Sequence, residues 1–368
     1  MRGKTSSNRR VCPKRISKKN PRSGFGKNPR RRAVSGCHPM KRHIISALTL
    51  LSATLIARAE QDWVQYPAAD GQGKGKHIVL ISGDEEYRSE DGLPMLGKIL
   101  SRHHGFKCSV LFSVSPDGFI DPNAGASLSN PEAIDSADAI VMLTRFRKWP
   151  DETMKRFDAA MKRGVPVIGM RTSTHAFQLP KTSAFASYNS FGKDVLGEKW
   201  VSHWGKHKVE AGKGVIEAAN ASHPILRGVS DVFFDSDVYE AAPPADATIL
   251  MRGQVLKGMT PADPPAQYTK KRAGGGEQDI NDPMMPIAWT RELKTADGKP
   301  HKIFTTTAGA ATDLANEGLR RMIVNAVYWA TGLEVPAKAR VDTVGAYEPL
   351  MYGFGTFRKN VKPSAHNL

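Results

Sequence analysis

Cysteine is scarce in this chain. It has 3 cysteines in 368 residues, and two of them, Cys12 and Cys37, lie before residue 60. Cys108 then stands alone in the remainder, which excludes an internal disulfide framework there. Because Cys108 lies in an alternating, strand-like run, we expect a buried thiol and not a reactive one.

Acidic residues are missing from the first part of the chain. Residues 1–59 contain no Asp or Glu, but they hold 16 of the 53 Lys and Arg. From Glu60 onward acids and bases nearly balance, so the net charge of +17 belongs to the leader. A nearly neutral body lacks the basic surface that binds phosphate backbones, and we therefore expect no nucleic-acid partner.

The leader lacks an apolar run long enough to span a membrane. Residues 44–56 form an apolar stretch of 13, well short of the roughly 20 that a transmembrane helix needs. A basic segment precedes this stretch and Ala57-Arg58-Ala59 follows it, which is the three-part pattern of a secretory signal. We predict a signal peptide at 40–59, cleavage near Ala59, export to the periplasm or outside, and no stable membrane anchor.

Residues 1–39 form a basic leader that we expect to be disordered. Translation starts either at Met1 or at Met40, and the sequence does not decide between them. An organellar transit peptide, which is also rich in arginine and poor in acids, is the alternative interpretation of this region.

Strands and helices alternate after residue 76. Short apolar runs predict buried strands at 77–82, 108–112, 139–143 and 165–168. Apolar residues at helical spacing predict helices at about 93–104, 151–162 and 319–330. This alternation implies right-handed crossovers, so we predict a single flavodoxin-like α/β domain with a mainly parallel sheet and helices on both faces. The domain covers 77–335, after a linker at 60–76 and before a C-terminal tail at 336–368.

A sharp turn follows the strand predicted at 165–168. The sequence there is Gly-Met-Arg-Thr-Ser-Thr-His, and a strand-to-helix turn exposes its central side chain at the carboxyl end of the sheet. Arg171 holds that position. Its guanidinium cannot attack a substrate, but it suits gripping an anion or a hydroxyl-rich ligand, with Thr172 beside it. His175 is an acid–base candidate on the same turn.

Charged residues follow two other strands. Glu85 and Glu86 precede the first helix and could act as general acid or base, or they could cap that helix and pair with arginines. Arg145 and Arg147 alternate around Phe146, so both should point one way, as a grip on a substrate or as partners of the acidic loop. Two further residues of the first loop are predicted to bind substrate, namely Asp84 and Arg88.

Two histidines lie four residues apart at His203 and His207. That spacing brings imidazoles to one face of a helix, where they can chelate a metal. Gly205 between them weakens the helix, so we predict that they line a polar pocket, with no metal and no cofactor. Asp237 and Tyr239 share one face of a strand and form either a polar rim or a strand anchor.

Several of these segments occur together in a known family. They are 80–87, 144–147, 169–172, 223–226, 237–239, 286–290 and 327–330. As a set they resemble the ThuA-like (trehalose-utilisation) family of the class I glutamine-amidotransferase-like superfamily, over about 77–333. The resemblance implies a flavodoxin-like sheet and a role in disaccharide catabolism, such as hydrolysis or isomerisation of keto-sugars.

The chain departs from the family pattern at two places. Amidotransferases carry cysteine at the turn where this chain has Arg171, which argues against glutaminase chemistry. Many relatives have histidine at that position and a Gly-His pair where this chain has Gly309-Ala310. The chain resembles instead the exported subgroup of the family, whose substrates are unassigned.

The sequence therefore predicts an exported protein that binds or acts on a carbohydrate. The predicted catalytic residues are Glu85, Glu86 and His175. The predicted substrate-binding residues are Asp84, Arg88, Arg145, Arg147, Arg171, Thr172, His203, His207, Asp237 and Tyr239. The alternatives are a non-catalytic sugar- or anion-binding module, a metal-dependent hydrolase using His203, His207 and an acid of the first loop, and DNA binding through 1–39. Substrate, reaction and oligomeric state are left open.

Overall fold

The computed structural model describes residues 61–368, so the predicted signal peptide lies outside the described residues. Its strands are β1 Val64–Tyr66, β2 His77–Gly83, β3 Lys107–Phe112, β4 Ala139–Thr144, β5 Val167–Met170, β6 Gly212–Ile216, β7 Phe233–Phe234, β8 Thr248–Val255, β9 Thr269–Lys271, β10 Glu277–Asp279, β11 Met285–Lys294 and β12 Pro300–Thr306. The α-helices of the same region are α1 Ser89–His104, α2 Asp151–Arg163 and α3 Glu317–Ala330. None of these helices is long and apolar enough to cross a membrane.

Ten of the strands form one mixed sheet in the order β1-β3-β2-β4-β5-β12-β11-β8-β6-β7. The five strands from β3 to β12 in this order are parallel. β1 pairs antiparallel at one edge, and β11, β8, β6 and β7 continue antiparallel at the other. β9 and β10 form a separate hairpin.

The prediction of a mainly parallel sheet is correct for the five central strands and wrong for the rest. Parallel neighbours need a long crossover, usually a helix, whereas antiparallel neighbours can be joined by a short turn. β11 and β12 are separated by residues 295–299 alone, so they pair as a hairpin. The second half of the chain therefore extends the sheet with antiparallel strands.

Helices cover both faces of the sheet, as predicted. Alternate residues of β2 contribute to two separate cores, Ile78 and Leu80 to one, Val79 and Ile81 to the other. α1 and α3 pack on the first core and α2 on the second. All seven residues of β2 are buried, which explains why the sequence shows a continuous apolar run instead of an alternating one.

The predicted element boundaries hold within a few residues. α1 and α2 end at Gly105 and Gly164, whose φ angles of 78° and 77° need the left-handed conformation that glycine adopts readily. β5 begins two residues later than predicted, because the Val165 amide still donates to the Ala160 carbonyl at the end of α2, at 3.1 Å.

The C-terminal residues pack closely on the domain. Val341, Tyr352 and Phe357 are buried, although a surface tail was expected at 336–368. Arg358 pairs with Asp91 of α1 at 2.6 Å. We call residues 344–366 the C-terminal arm.

Candidate functional site

The predicted sharp turn follows β5 directly. The strand ends at Met170, and a single 3₁₀ turn spans Arg171–His175. Arg171 has a φ of 42°, an uncommon left-handed conformation for a residue with a side chain. Because the turn follows parallel strand β5 directly, it lies at the carboxyl edge of the parallel strands, where ligands of open α/β sheets bind.

The Arg171 side chain lies beneath this edge and does not project from it. It is 0% exposed, and its guanidinium carbon is 4.4 Å from the ring centre of Tyr87 and 3.9 Å from that of Tyr239. It donates hydrogen bonds to the Asp237 carboxylate at 3.0 Å and to the Thr307 carbonyl at 2.9 Å. We had expected Arg171 to present its guanidinium to a ligand. In this structure it holds Asp237 instead.

Asp237 organises the two histidines. One carboxylate oxygen lies 2.8 Å from Nδ1 of His203 and the other lies 2.9 Å from Nδ1 of His207. Burial works to raise the pKa of Asp237, but the Arg171 charge and the two imidazole contacts outweigh it and hold this pKa well below its usual range. Asp237 is therefore a buried, ionised acceptor shared by three side chains.

His207 and Glu86 form the adjoining ion pair. Nε2 of His207 lies 3.5 Å from Oε1 of Glu86. Hydrogen bonds to Asp237 and then to Glu86 raise the pKa of His207 to about 9, against the opposing effect of burial. Burial raises the pKa of Glu86, but the His207 hydrogen bond and the Arg145 charge outweigh burial, so the net pKa is lowered. At neutral pH the pair is an imidazolium and a carboxylate.

Glu85 is bound by both arginines of the neighbouring loop. One oxygen of its carboxylate accepts from Arg145, and the other accepts from Arg147 at 2.7 Å. Arg147 is buried and also donates to the Pro122 carbonyl at 2.9 Å. Both guanidiniums turn toward Glu85, and there they form the ion pairs that were the alternative to a substrate grip.

Three predicted binding residues lie underneath the first loop and do not line the cavity described below. Asp84 accepts from the backbone amides of Glu86 and Tyr87, and from the Thr172 hydroxyl. Arg88 is fully buried and lies 3.6 Å from the carboxylate of Glu90. In this structure these side chains fix the loop that carries Glu86.

A cavity of about 250 Å³ lies at this edge of the sheet. The predicted residues that line it are Glu86, Arg145, His175, His203, His207 and Tyr239. Side chains from loops far apart in sequence thus converge on one concavity. A larger cavity, about 390 Å³, lies between α1 and the C-terminal arm, away from the residues of this cluster.

His175 forms part of the wall as a neutral imidazole. Burial, followed by the positive charges of Arg145 and Arg171, lowers its pKa to about 3. Its ring lies 4.9 Å from Phe146 and 5.6 Å from Trp200, measured between ring centres. A neutral imidazole can accept or donate a hydrogen bond to a ligand, but it holds no extra proton to give at neutral pH.

Four aromatic residues of the cavity were not predicted. They are Tyr87, Phe146, Trp200 and Phe354. Strand alternation would turn Phe146 away from its two arginine neighbours, but its φ of 47° breaks that alternation, and the residue lines the cavity. The nearness of Trp200 to the two histidines and the position of Phe354 between two glycines were available signals in the sequence.

The residues that come nearest to a metal centre are His203, His207 and Asp237. One ligand atom from each lies within 4.8 Å of the others, and no other such group occurs in residues 61–368. The two imidazoles are brought together by a loop and not by a helix. Each Nδ1 already contacts its own oxygen of Asp237, and Arg171 already supplies a positive charge there. A hydrogen-bonded network fits this geometry better than a divalent ion does.

The fold and the turn define a mixed α/β protein that carries an arginine at the sharp turn after β5. The family model described as ThuA, trehalose utilisation, matches residues 78–330, and the chain belongs to this family. No curated relative matches the chain.

Solved structures resemble the chain at low identity. A ThuA-like protein of Parabacteroides merdae is 15% identical, with 72% of this chain and 92% of that chain covered and a TM-score of 0.47. A ThuA-like protein of Bacteroides uniformis is 13% identical, with 72% and 95% covered and a TM-score of 0.41. The glutaminase domain of Trypanosoma brucei CTPS is 10% identical, with 72% and 98% covered and a TM-score of 0.34.

Proposed function

We propose that this chain is an exported enzyme that transfers protons on a keto-sugar. The observation that carries the proposal is the His207–Glu86 pair, an acid and a base 3.5 Å apart on the wall of one cavity. The family description, trehalose utilisation, supports a carbohydrate as the ligand class.

The cavity has the composition of a sugar site. Aromatic rings form much of its wall, and charged or polar groups lie between them. Aromatic faces pack against the C–H faces of a sugar ring, while carboxylates, guanidiniums and imidazoles bind its hydroxyls. A volume of about 250 Å³ lies just below the usual range of roughly 300–1,000 Å³ for ligand sites, which suits one sugar unit.

The proposed reaction begins with proton abstraction beside the ketone. The Glu86 carboxylate removes a proton from the neighbouring carbon, and the released electron pair forms a carbon–carbon double bond. The carbonyl oxygen takes the Nε2 proton of His207, which gives a neutral enediol. Arg145, on the same wall, stabilises the negative charge that develops on that oxygen.

The second half of the reaction restores both groups. Neutral His207 removes the proton of the other enediol hydroxyl, and protonated Glu86 returns its proton to the former carbonyl carbon. The ketone is thereby moved by one carbon, and the enzyme ends in its starting protonation state. His175, being neutral, orients a ligand hydroxyl.

Turnover of a panel of sugars tests this proposal. The purified chain is incubated with glucose, trehalose and keto derivatives of both, and conversion is followed by ¹H NMR. We expect conversion of a keto-sugar, and a loss of about 10²–10⁴-fold in Glu86→Gln. Glu334→Gln, an exposed acid away from the cavity, is the matched control and should retain full activity.

Two results would contradict the proposal. If a sugar binds without any conversion, the chain is a non-catalytic binding module and not an enzyme. Absence of both binding and conversion across the panel would overturn the carbohydrate assignment itself.

Export is the second part of the proposal and is supported by the signal pattern at 40–59. The full chain, produced in a bacterial host with a periplasm, should appear there with Glu60 as its first residue. N-terminal sequencing of the recovered protein is the measurement, and an intact leader on cytoplasmic protein would contradict export.

A further inference from the structure

The C-terminal arm supplies part of the candidate site. The family model ends at residue 330, yet Phe354 lines the cavity. The Gly353 amide donates to the carbonyl of Glu86 at 2.8 Å, which joins the arm to the loop that carries the proposed base. The arm therefore forms part of the cavity wall, although it lies outside the residues that match the family model.

The arm is fixed on both sides of Phe354. Before it, the ring of Tyr352 lies 5.2 Å from that of Tyr87, and its hydroxyl donates to the Asp235 carbonyl at 2.9 Å. After it, Arg358 pairs with Asp91 of α1 at 2.6 Å. These contacts hold the backbone of the arm on both sides of Phe354 and so fix the position of that residue at the cavity.

Phe354 is unusually exposed for a phenylalanine on a well-anchored segment. Its exposure is 61%, and that of Trp200, also on the cavity wall, is 38%. The other large exposed hydrophobic residues of 61–368 are Val209, Met351 and Leu368, none of which lines this cavity. Exposed apolar groups that cluster at a cavity mark a ligand site more often than chance placement does.

Packing inside the protein accounts for only part of the Phe354 surface. The Arg145 guanidinium carbon lies 5.1 Å from its ring centre, on the side toward the first loop. Within residues 61–368, 61% of the Phe354 surface stays exposed. A ring of matching size, with one apolar face, is the kind of ligand that would cover it.

We propose that Phe354 and Trp200 are specificity-determining residues that pack against the C–H faces of a sugar ring held over the proton-transfer pair. This inference rests on the proposed function. Neither ring carries a group that titrates near neutral pH, so both act on substrate binding and not on the chemical step. The C-terminal arm thereby sets which sugar ring the family core accepts.

Steady-state kinetics with the keto-sugar converted by the wild-type chain tests this role. We expect Phe354→Ala and Trp200→Ala each to raise KM about tenfold, the effect of roughly 1.4 kcal/mol, with kcat nearly unchanged. Phe354→Tyr keeps the ring face and should restore the wild-type KM. Met351→Ala removes a 46%-exposed apolar residue of the same arm and is the matched control.

The outcomes separate this inference from the proposed function. An active wild type whose KM is unchanged in both alanine variants would overturn the inference alone. A loss of kcat at constant KM in the alanine variants would also overturn it. So would a rise of KM in Met351→Ala equal to theirs. A wild type that neither binds nor converts any sugar of the panel would overturn the proposed function and this inference together.

Discussion

Charges of alternating sign run through the site from its buried end to the cavity. Arg171 binds Asp237, Asp237 binds His207, and His207 lies beside Glu86. Each group stabilises the ionised form of the next, because an opposite charge at this distance favours ionisation. Arg171 thus acts on the cavity through Asp237, which it helps to keep ionised and which in turn contacts His207.

The titration of His207 is the first prediction at the residue scale. Its imidazole should titrate near pH 9, because Asp237 and Glu86 both favour the protonated form. In Glu86→Gln the pKa should fall but stay above 6.5, since Asp237 remains. NMR of the imidazole resonances against pH measures both values, and a wild-type pKa at or below 6.5 would contradict the network.

The same shift makes stability depend on pH. A histidine whose pKa is raised on folding stabilises the fold fully below its unfolded pKa of about 6.5. That contribution is lost as the pH rises through about 9. Unfolding measured across this window should show the loss in the wild type and a smaller loss in Glu86→Gln.

The buried ion pair gives a third residue-scale prediction. Arg171→Met leaves the carboxylate of Asp237 buried without its guanidinium, which should cost about 3–5 kcal/mol in the free energy of unfolding. Arg340→Met breaks an exposed pair with Asp342 and should cost about 0–1 kcal/mol. Denaturant unfolding compares the two, and equal losses would show that the buried pair has no special role. Adding Asp237→Asn to Arg171→Met should recover part of the loss.

The sequence identified the charged residues of the cavity, but it did not show which way each side chain points. Glu86, Arg145, His175, His203 and His207 were all named from the sequence and all line the cavity. Arg171 was placed correctly at the turn, but its partner Asp237 lies 66 residues further on. A long side chain can point to either side of a turn, and only the position of that distant carboxylate decides which.

At the scale of elements, the turn after β5 depends on close backbone packing. A side-chain carbon added at Gly192 would lie 1.8 Å from the carbonyl oxygen of Thr174, next to His175. Backbone atoms cannot yield as a flexible side chain does, so the turn itself would have to move. The position of His175 therefore depends on a glycine in a different element.

Substitution at this glycine gives the element-scale prediction. Gly192→Ala should reduce the free energy of unfolding by about 1–3 kcal/mol, the usual cost of overpacking. At Gly274 an added carbon meets nothing within 4 Å, so Gly274→Ala should change stability by less than about 0.5 kcal/mol. Thermal or denaturant unfolding of the two variants is the comparison, and similar values for both would contradict the packing argument.

Strands were predicted correctly from the sequence where both of their faces are buried. β2 and β4 are entirely buried and appear in the sequence as uninterrupted apolar runs. The antiparallel strands are partly exposed, as in β8, and their weaker pattern did not reveal the direction of pairing. Direction depends on connection length and on partners elsewhere in the chain, which local apolar periodicity does not encode.

At the scale of the whole molecule, the site is assembled from the family core and the C-terminal arm. A surface tail was expected at 336–368, which includes the arm. Its attachment instead depends on individual contacts, such as Arg358 with Asp91 and Gly353 with Glu86, across more than 260 residues of chain. Such contacts leave no periodic pattern, so the two glycines around Phe354 could mark it as unusual but could not show that the arm reaches the cavity.

Solvent-deuterium exchange tests the central claim most directly, namely that Glu86 moves a proton on a carbon beside a sugar ketone. A keto-sugar incubated with the protein in D₂O should gain deuterium at that carbon. Exchange should fall about 10²–10⁴-fold in Glu86→Gln and remain at the wild-type rate in Glu334→Gln. Conversion of the sugar without deuterium incorporation, or equal exchange in wild type and Glu86→Gln, would contradict the account.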